Sequence, residues 1–309
     1  MKRYGILLVV LGAILWGTDS LFRRPLTQNL SPLTIVFLEH VILVLVMLPL
    51  LARERKELAK LTGKDWISLI FIAVGGSVIA TSLFTFAIKY GNPSVTVLLQ
   101  KTQPFFTIFL ARWFLSERPG RWFWFLLAPT LCGAYFVATP DWRAGFSIDP
   151  RQPACLLAAL GASLLWGAST VFGRYIVARL PVLVLTGLRF ALALPVLAVI
   201  YFFQGQDSRH LPATLHSITL VLVMALIPGL VAMICYYRGL QTTIASLASI
   251  GELAFPVTAV ATNWFILGIR LAPSQFAGGA LLITSVTALT YLHGKEKNRY
   301  QGKTDPLTS

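Results

Sequence analysis

The sequence predicts an all-α integral membrane protein with ten transmembrane helices, arranged as two inverted five-helix repeats with both termini cytoplasmic. Three observations predict it: apolar runs of spanning length recur along the chain, the two halves resemble each other, and basic residues collect on one side. Of the 309 residues, 56% are hydrophobic and only 12% are charged. The mean hydropathy is +0.72, far from that of an ordinary soluble protein.

A hydrocarbon layer about 30 Å thick is crossed by about 20 apolar residues at roughly 1.5 Å each. Such runs fall at 4–22, 32–51, 66–88, 94–114, 121–138, 153–173, 181–203, 218–237, 244–269 and 273–292. They are continuous rather than alternating, which favours a helical bundle over a barrel. The first run follows Lys2 and Arg3 as a signal peptide would, but it lacks a small-residue cleavage site and further spans follow, so it reads as a retained helix. The Lys-rich tail, 293–309, reads as disordered and cytoplasmic.

The net charge of +14 would suit nucleic acid on a soluble surface, but the placement of the charges points elsewhere. With the N-terminus inside, seventeen basic residues face the cytoplasm: Lys2, Arg3, Arg53, Arg55, Lys56, Lys60, Lys64, Arg112, Arg118, Arg121, Arg174, Arg179, Arg238, Lys295, Lys297, Arg299 and Lys303. Seven face outward: Arg23, Arg24, Lys89, Arg143, Arg151, Arg209 and Arg270. This positive-inside bias puts both termini in the cytoplasm and leaves no nucleic-acid partner to expect. Cys132, Cys155 and Cys235 lack ligand spacing and read as small packing residues.

The halves 4–138 and 153–292 repeat each other. LLVVLGAILWGTDSLFRR from Leu7 parallels LLAALGASLLWGASTVFGR from Leu156, which sets Trp16-Gly17 on Trp166-Gly167. VLLQKTQPFFTIFLARWFLSER parallels ASIGELAFPVTAVATNWFILGIR, which sets Pro104 on Pro256 and Gln100 on Glu252. Two copies of a unit with an odd number of spans enter the membrane from opposite sides, the inverted arrangement of carriers that work by alternating access.

The WG pairs, Pro32 and Pro181 opening the second helices, Pro104 and Pro256 in the fourth, and LSER at Leu115–Arg118 resemble the EamA family of the drug/metabolite transporter superfamily. The resemblance runs from about Tyr4 to Leu292 and implies a ten-helix carrier of small metabolites in a bacterial-type cytoplasmic (inner) membrane. Many relatives export amino acids. The chain departs from the family pattern at His40, where the second copy has Arg189, at Ile269 in place of the LSER glutamate, and at Gln103 and Phe255 before the two prolines.

Charged side chains at a bilayer centre cost roughly 2.5–3.5 kcal/mol each. Asp19, Glu39, Lys101, Arg189 and Glu252 all fall within spans, so they must pair or face an aqueous cavity. Glu252 and Gln100 each lie one turn before a proline and point from matching places in the two halves. Three roles are open to Glu252: binding a substrate ammonium or exchanging a proton, pairing with Arg189 or Lys101, or packing in protonated form. Lys101 suits either a substrate carboxylate or a pairing with Glu39. His40 and Arg189, at matching repeat positions, read as structural, and Asp19 as either a gate or a partner of Arg23 or Lys89. Pro104 and Pro256 read as hinges or as kinks repaired by neighbouring helices. Trp16, on one helix face with Asp19, joins Trp166, Tyr236 and Tyr237 either as an aromatic-walled site for flat or cationic groups or as packing.

No GxxxxGK[ST] loop, HExxH or Asp-rich cluster occurs, so neither ATP drive nor a metal or other cofactor is expected. The expected function is secondary transport, with export of amino acids or related small metabolites by facilitated diffusion or proton antiport. A membrane-embedded transferase and a channel or receptor are the rival readings, and monomer and dimer both stay open.

Overall fold

A computed structural model of the chain describes residues 5–90, 96, 99–138, 153–203, 214–266, 268 and 272–301, and every regular element among them is helical. Lys2, Arg3, Arg143, Arg151, Arg209, Ile269, Arg270 and Lys303 lie outside the described residues, as do the side chains of Lys89, Lys295, Lys297 and Arg299.

The helices are α1 (Gly5–Gly17), α2 (Asp19–Leu26), α3 (Pro32–Arg53), α4 (Arg55–Leu58), α5 (Gly63–Ile70), α6 (Ala80–Tyr90), α7 (Gln103–Phe114), α8 (Arg121–Ala138), α9 (Pro153–Ile176), α10 (Val182–Phe203), α11 (Leu215–Met224), α12 (Ala232–Leu240), α13 (Ala245–Gly251), α14 (Ala254–Phe265) and α15 (Pro273–Gln301). Two π-helical stretches, Phe71–Ile79 and Ala225–Val231, join α5 to α6 and α11 to α12. Seven stretches are long and apolar enough to cross a membrane: Gly5–Leu26, Leu33–Arg53, Gly63–Ala87, Pro153–Ile176, Val182–Phe203, Leu215–Leu240 and Ala245–Thr262. Each coincides with a predicted span. The predicted spans 94–114, 121–138 and 273–292 fall on α7, α8 and α15, outside those seven. Phe125, Phe202 and Phe203 stand fully outward, as a hydrocarbon surround requires.

Local chemistry sets the ends. Ser31 Oγ accepts from the amide of Thr34 at 3.1 Å, and Pro32, with no N–H to lose, takes the first position of α3. Thr62 and Asp65 form a reciprocal capping box at α5. Past Leu292, helix α15 continues to Gln301 where a disordered tail was expected, because Lys, Glu, Arg and Gln sustain a helix and no proline intervenes.

Two expectations of continuous helix are corrected. The fourth span of each half is broken, at Lys101–Thr102 and at Glu252–Leu253. Pro104 and Pro256 therefore sit in the first turns of α7 and α14, where a missing N–H costs little, rather than in helix interiors. Thr102 Oγ1 donates to the carbonyl of Leu99 at 2.6 Å, and the amide of Phe255 donates to that of Glu252 at 3.1 Å, closing the two turns. Between α1 and α2 a single turn residue, Thr18, keeps right-handed helical dihedrals while its Oγ1 donates back to the carbonyl of Leu15 at 2.7 Å.

The halves interlock. Helix α1 packs against α12 and α14, and α9 packs against α6 and α7, so each half's first helix lies against the third and fourth helical stretches of the other. Glycine allows the closest of these crossings. A Cβ on Gly17 would meet Phe255 O at 2.8 Å, Thr258 Cβ at 2.5 Å and Ala259 N at 3.0 Å; one on Gly167 would meet Gln103 O, Phe106 Cβ and Thr107 N, each at 3.1 Å. These are the same three positions in the aligned halves.

Candidate transport site

Glu252 stands at the break between α13 and α14, and its carboxylate gathers side chains from three other helices. Gln103 Nε2, at the start of α7, donates to Oε2 at 2.9 Å. Thr170 Oγ1 on α9 and the Tyr236 hydroxyl on α12 donate to Oε1 at 3.1 and 2.9 Å. Tyr236 and Thr170 also meet at 3.1 Å, so two hydroxyls and one carboxylate oxygen form a closed triangle. An amide nitrogen can only donate, whereas hydroxyls reverse direction. Oε1 is therefore the oxygen that can take a proton without losing its partners.

Two aromatic rings pack on Tyr236 of this cluster. Trp16 packs on Tyr236 at 5.1 Å between centroids, and Tyr236 on Tyr237 at 5.5 Å. Trp166 packs at 5.4 Å on Phe84 and donates its indole N–H to the carbonyl of Gly76 at 3.0 Å. The two tryptophans, equivalent in sequence, thus occupy matching crossings, each against the third helical stretch of the opposite half.

Other predicted residues fall elsewhere. The Gln100 carboxamide does not join Glu252; its Oε1 accepts from Lys101 Nζ at 3.3 Å, and Lys101 lies 5.7 Å from the centre of the Phe255 ring. Neither Lys101 nor Arg189 forms an ion pair with Glu252 among the described residues. Arg189 donates instead to Ser77 Oγ and to the Tyr237 hydroxyl, both at 2.9 Å, linking α10 to the π-helical stretch of the first half and to α12. His40 bonds the carbonyl of Val36 at 2.9 Å and stands edge-on to Phe190. Glu39 does not pair with Lys101: Arg23 bridges Asp19 Oδ1 at 2.9 Å and Glu39 Oε2 at 3.1 Å. A Cβ on Gly229, in the second π-helical stretch, would lie 3.3 Å from Glu39 Oε1, so this triad abuts the opposite half.

The sequence reading gave Gln103, Thr170 and Glu117 no part in the site. Thr170 lies one turn beyond Trp166 on α9, and that spacing was the available signal. Glu117 of LSER accepts from the amides of Ala245 and Ser246 at 2.7 and 3.0 Å and from Ser246 Oγ at 2.9 Å, capping α13, the helix that delivers Glu252.

The EamA-like transporter family matches the chain over residues 3–139 and again over 153–291. The chain belongs to this family. This EamA-like transporter is 32% identical over 296 residues to the riboflavin transporter ImpX of Fusobacterium nucleatum, a match spanning 94% of this chain and 98% of that one. It is 24% identical to an uncharacterized transporter of Clostridium kluyveri over 96% of each chain. With the uncharacterized inner membrane transporter YicL of Salmonella typhimurium it shares 22% identity over 93% of this chain and 95% of the other. A crystal structure superimposes with a TM-score of 0.78 and 17% identity, covering 96% of this chain and all of that one, which establishes the shared fold. The EamA-like protein is a multi-pass membrane transporter of small molecules rather than an enzyme.

Proposed function

We propose that this chain is a secondary carrier for a flat, hydrogen-bonding heterocycle of the flavin type. The observation that carries this reading is the Glu252 cluster walled by Trp16 and Tyr236, in a chain similar along nearly its whole length to a riboflavin transporter. Aromatic faces suit the stacking of a planar ring system, and fixed hydrogen-bonding groups beside them orient it.

The proposed architecture is ten spans in two inverted repeats, 4–138 and 153–292, in the cytoplasmic membrane with both termini inside. The interlocked first helices and the matched breaks at Lys101–Thr102 and Glu252–Leu253 support it, since two equivalent halves can exchange conformations about a central site. Pro104 and Pro256, beside the breaks, are the proposed hinges. Protons couple to transport through Glu252, whose Oε1 can be protonated within its hydroxyl triangle.

A second reading keeps amino acids, exported, as substrates. A carboxylate and an ammonium that is buried without a carboxylate partner among the described residues, Glu252 and Lys101, would suit a zwitterion. Counterflow in proteoliposomes tests both readings: vesicles loaded with unlabelled riboflavin should accumulate labelled riboflavin, with and without a pH gradient. Accumulation with amino acids but not riboflavin would sink the flavin reading in favour of the second. Direction follows from the sign of the gradient that drives net movement.

A further inference from the structure

Lys101 is a buried ammonium that the described structure leaves without an opposite charge and with a single long hydrogen bond. It is 7% exposed, and among the described residues no carboxylate lies within ion-pairing distance of its Nζ. Of its three donor hydrogens, one finds a long bond to Gln100 Oε1 at 3.3 Å, and the Phe255 ring lies 5.7 Å away. Other charges within the helical stretches are provided for: Arg23 holds two acids, Arg189 a serine and a tyrosine, and Glu252 three donors. An ammonium buried in this way destabilises the empty protein unless something brings the counter-charge.

Its position points to what brings it. Lys101 lies in the break that opens α7, two residues before Gln103, whose side chain holds Glu252. Phe255, near its ammonium, follows the second break, one turn from Glu252. The unneutralised ammonium therefore sits at the junction of the two broken helices, next to an aromatic face.

We propose that Lys101 is an anion-recognition subsite of the transport site, receiving an acidic oxygen of the substrate while the substrate's flat body lies against Phe255. The proposal rests on the carrier reading above and narrows its preferred substrates to compounds that present an ionised phosphate or carboxylate, with a neutral flavin as the weaker ligand. Lys101 is a specificity-determining residue in this account, and its charge is kept at the expense of the stability of the empty carrier.

The test pairs two variants with two matched sets of probes. Lys101→Met and Lys101→Arg are purified alongside the parent chain, and their thermal unfolding is followed without ligand. Binding is then compared for riboflavin against riboflavin 5′-phosphate, and for phenylalanine amide against phenylalanine. The expected result is that Lys101→Met unfolds at a higher temperature than the parent and loses a preference of roughly tenfold or more for the anionic member of whichever pair binds, while Lys101→Arg keeps that preference. A Lys101→Met protein that is no more stable, or one that retains the preference, overturns the proposal, as does a parent chain that prefers neither anionic probe. Loss of preference seen with the phenylalanine pair alone would leave the subsite standing and remove the flavin reading.

Discussion

Gln103 reaches across from the first half of the chain to hold Glu252 of the second at 2.9 Å, and each stands at a break in its own helix. Replacing Gln103 by Leu removes the donor to Oε2 and leaves that half-buried acceptor without its partner, at a cost of about 1 kcal/mol. The expected outcome is a lower thermal midpoint together with a shifted dependence of transport on pH, since the carboxylate loses a partner of its ionised form. An unchanged pH profile in a folded Gln103→Leu protein would show that this contact does not bear on protonation.

Glu252→Gln keeps the shape of the side chain and removes its capacity to change charge. Tyr236 and Thr170 can still donate to the amide oxygen, so the protein should fold with a similar thermal midpoint. Exchange between two pools of substrate should persist, while accumulation driven by a proton gradient should disappear. Gradient-driven uptake by Glu252→Gln at the parent rate would end the assignment of Glu252 as the coupling group.

Arg23 lies between Asp19 and Glu39 and offsets both. Arg23→Gln leaves two neighbouring carboxylates against the second half, and like charges at that distance raise the cost of burying either. A lower thermal midpoint is expected, and adding Glu39→Gln should restore most of it. If the double variant is no better than Arg23→Gln alone, electrostatic relief is not what Arg23 supplies.

Much of this was written in the sequence because it depends on period and repetition. The membrane character, the doubled WG pairs and the paired prolines follow from apolar runs and self-alignment, and they led to the family before any contact was known. The breaks at Lys101–Thr102 and Glu252–Leu253 were hidden because both lie inside apolar runs that look continuous, and a proline reads alike as a kink or as a first-turn residue. Gln103 was noticed only as a departure from the family pattern. Its partnership with Glu252 depends on how the two fourth helices face each other, which no single helix face encodes. Arg23 likewise took Glu39 through a contact between α2 and α3, which the face of neither helix encodes alone.

The equivalence of Gly17 and Gly167 gives a prediction that depends on neither substrate nor coupling. A methyl group at Gly17 would approach Phe255 O to 2.8 Å and Thr258 Cβ to 2.5 Å, and one at Gly167 would come within 3.1 Å of Gln103 O, Phe106 Cβ and Thr107 N. Backbone atoms cannot rotate away, so α1 or α9 must shift bodily, and overpacking of this kind costs about 1–3 kcal/mol. Gly17→Ala, with the tighter contacts, should lower the thermal midpoint in detergent more than Gly167→Ala. Gly63→Ala, where nothing lies within 4 Å, should be neutral or slightly stabilising. Because Gly17 meets α14 just beyond Glu252 and Gly167 meets α7 at Gln103, both crossing variants should also slow transport, and the Gly63 control should not. Equal stability of all three proteins would mean that these crossings yield easily and do not fix the geometry of the Glu252 cluster.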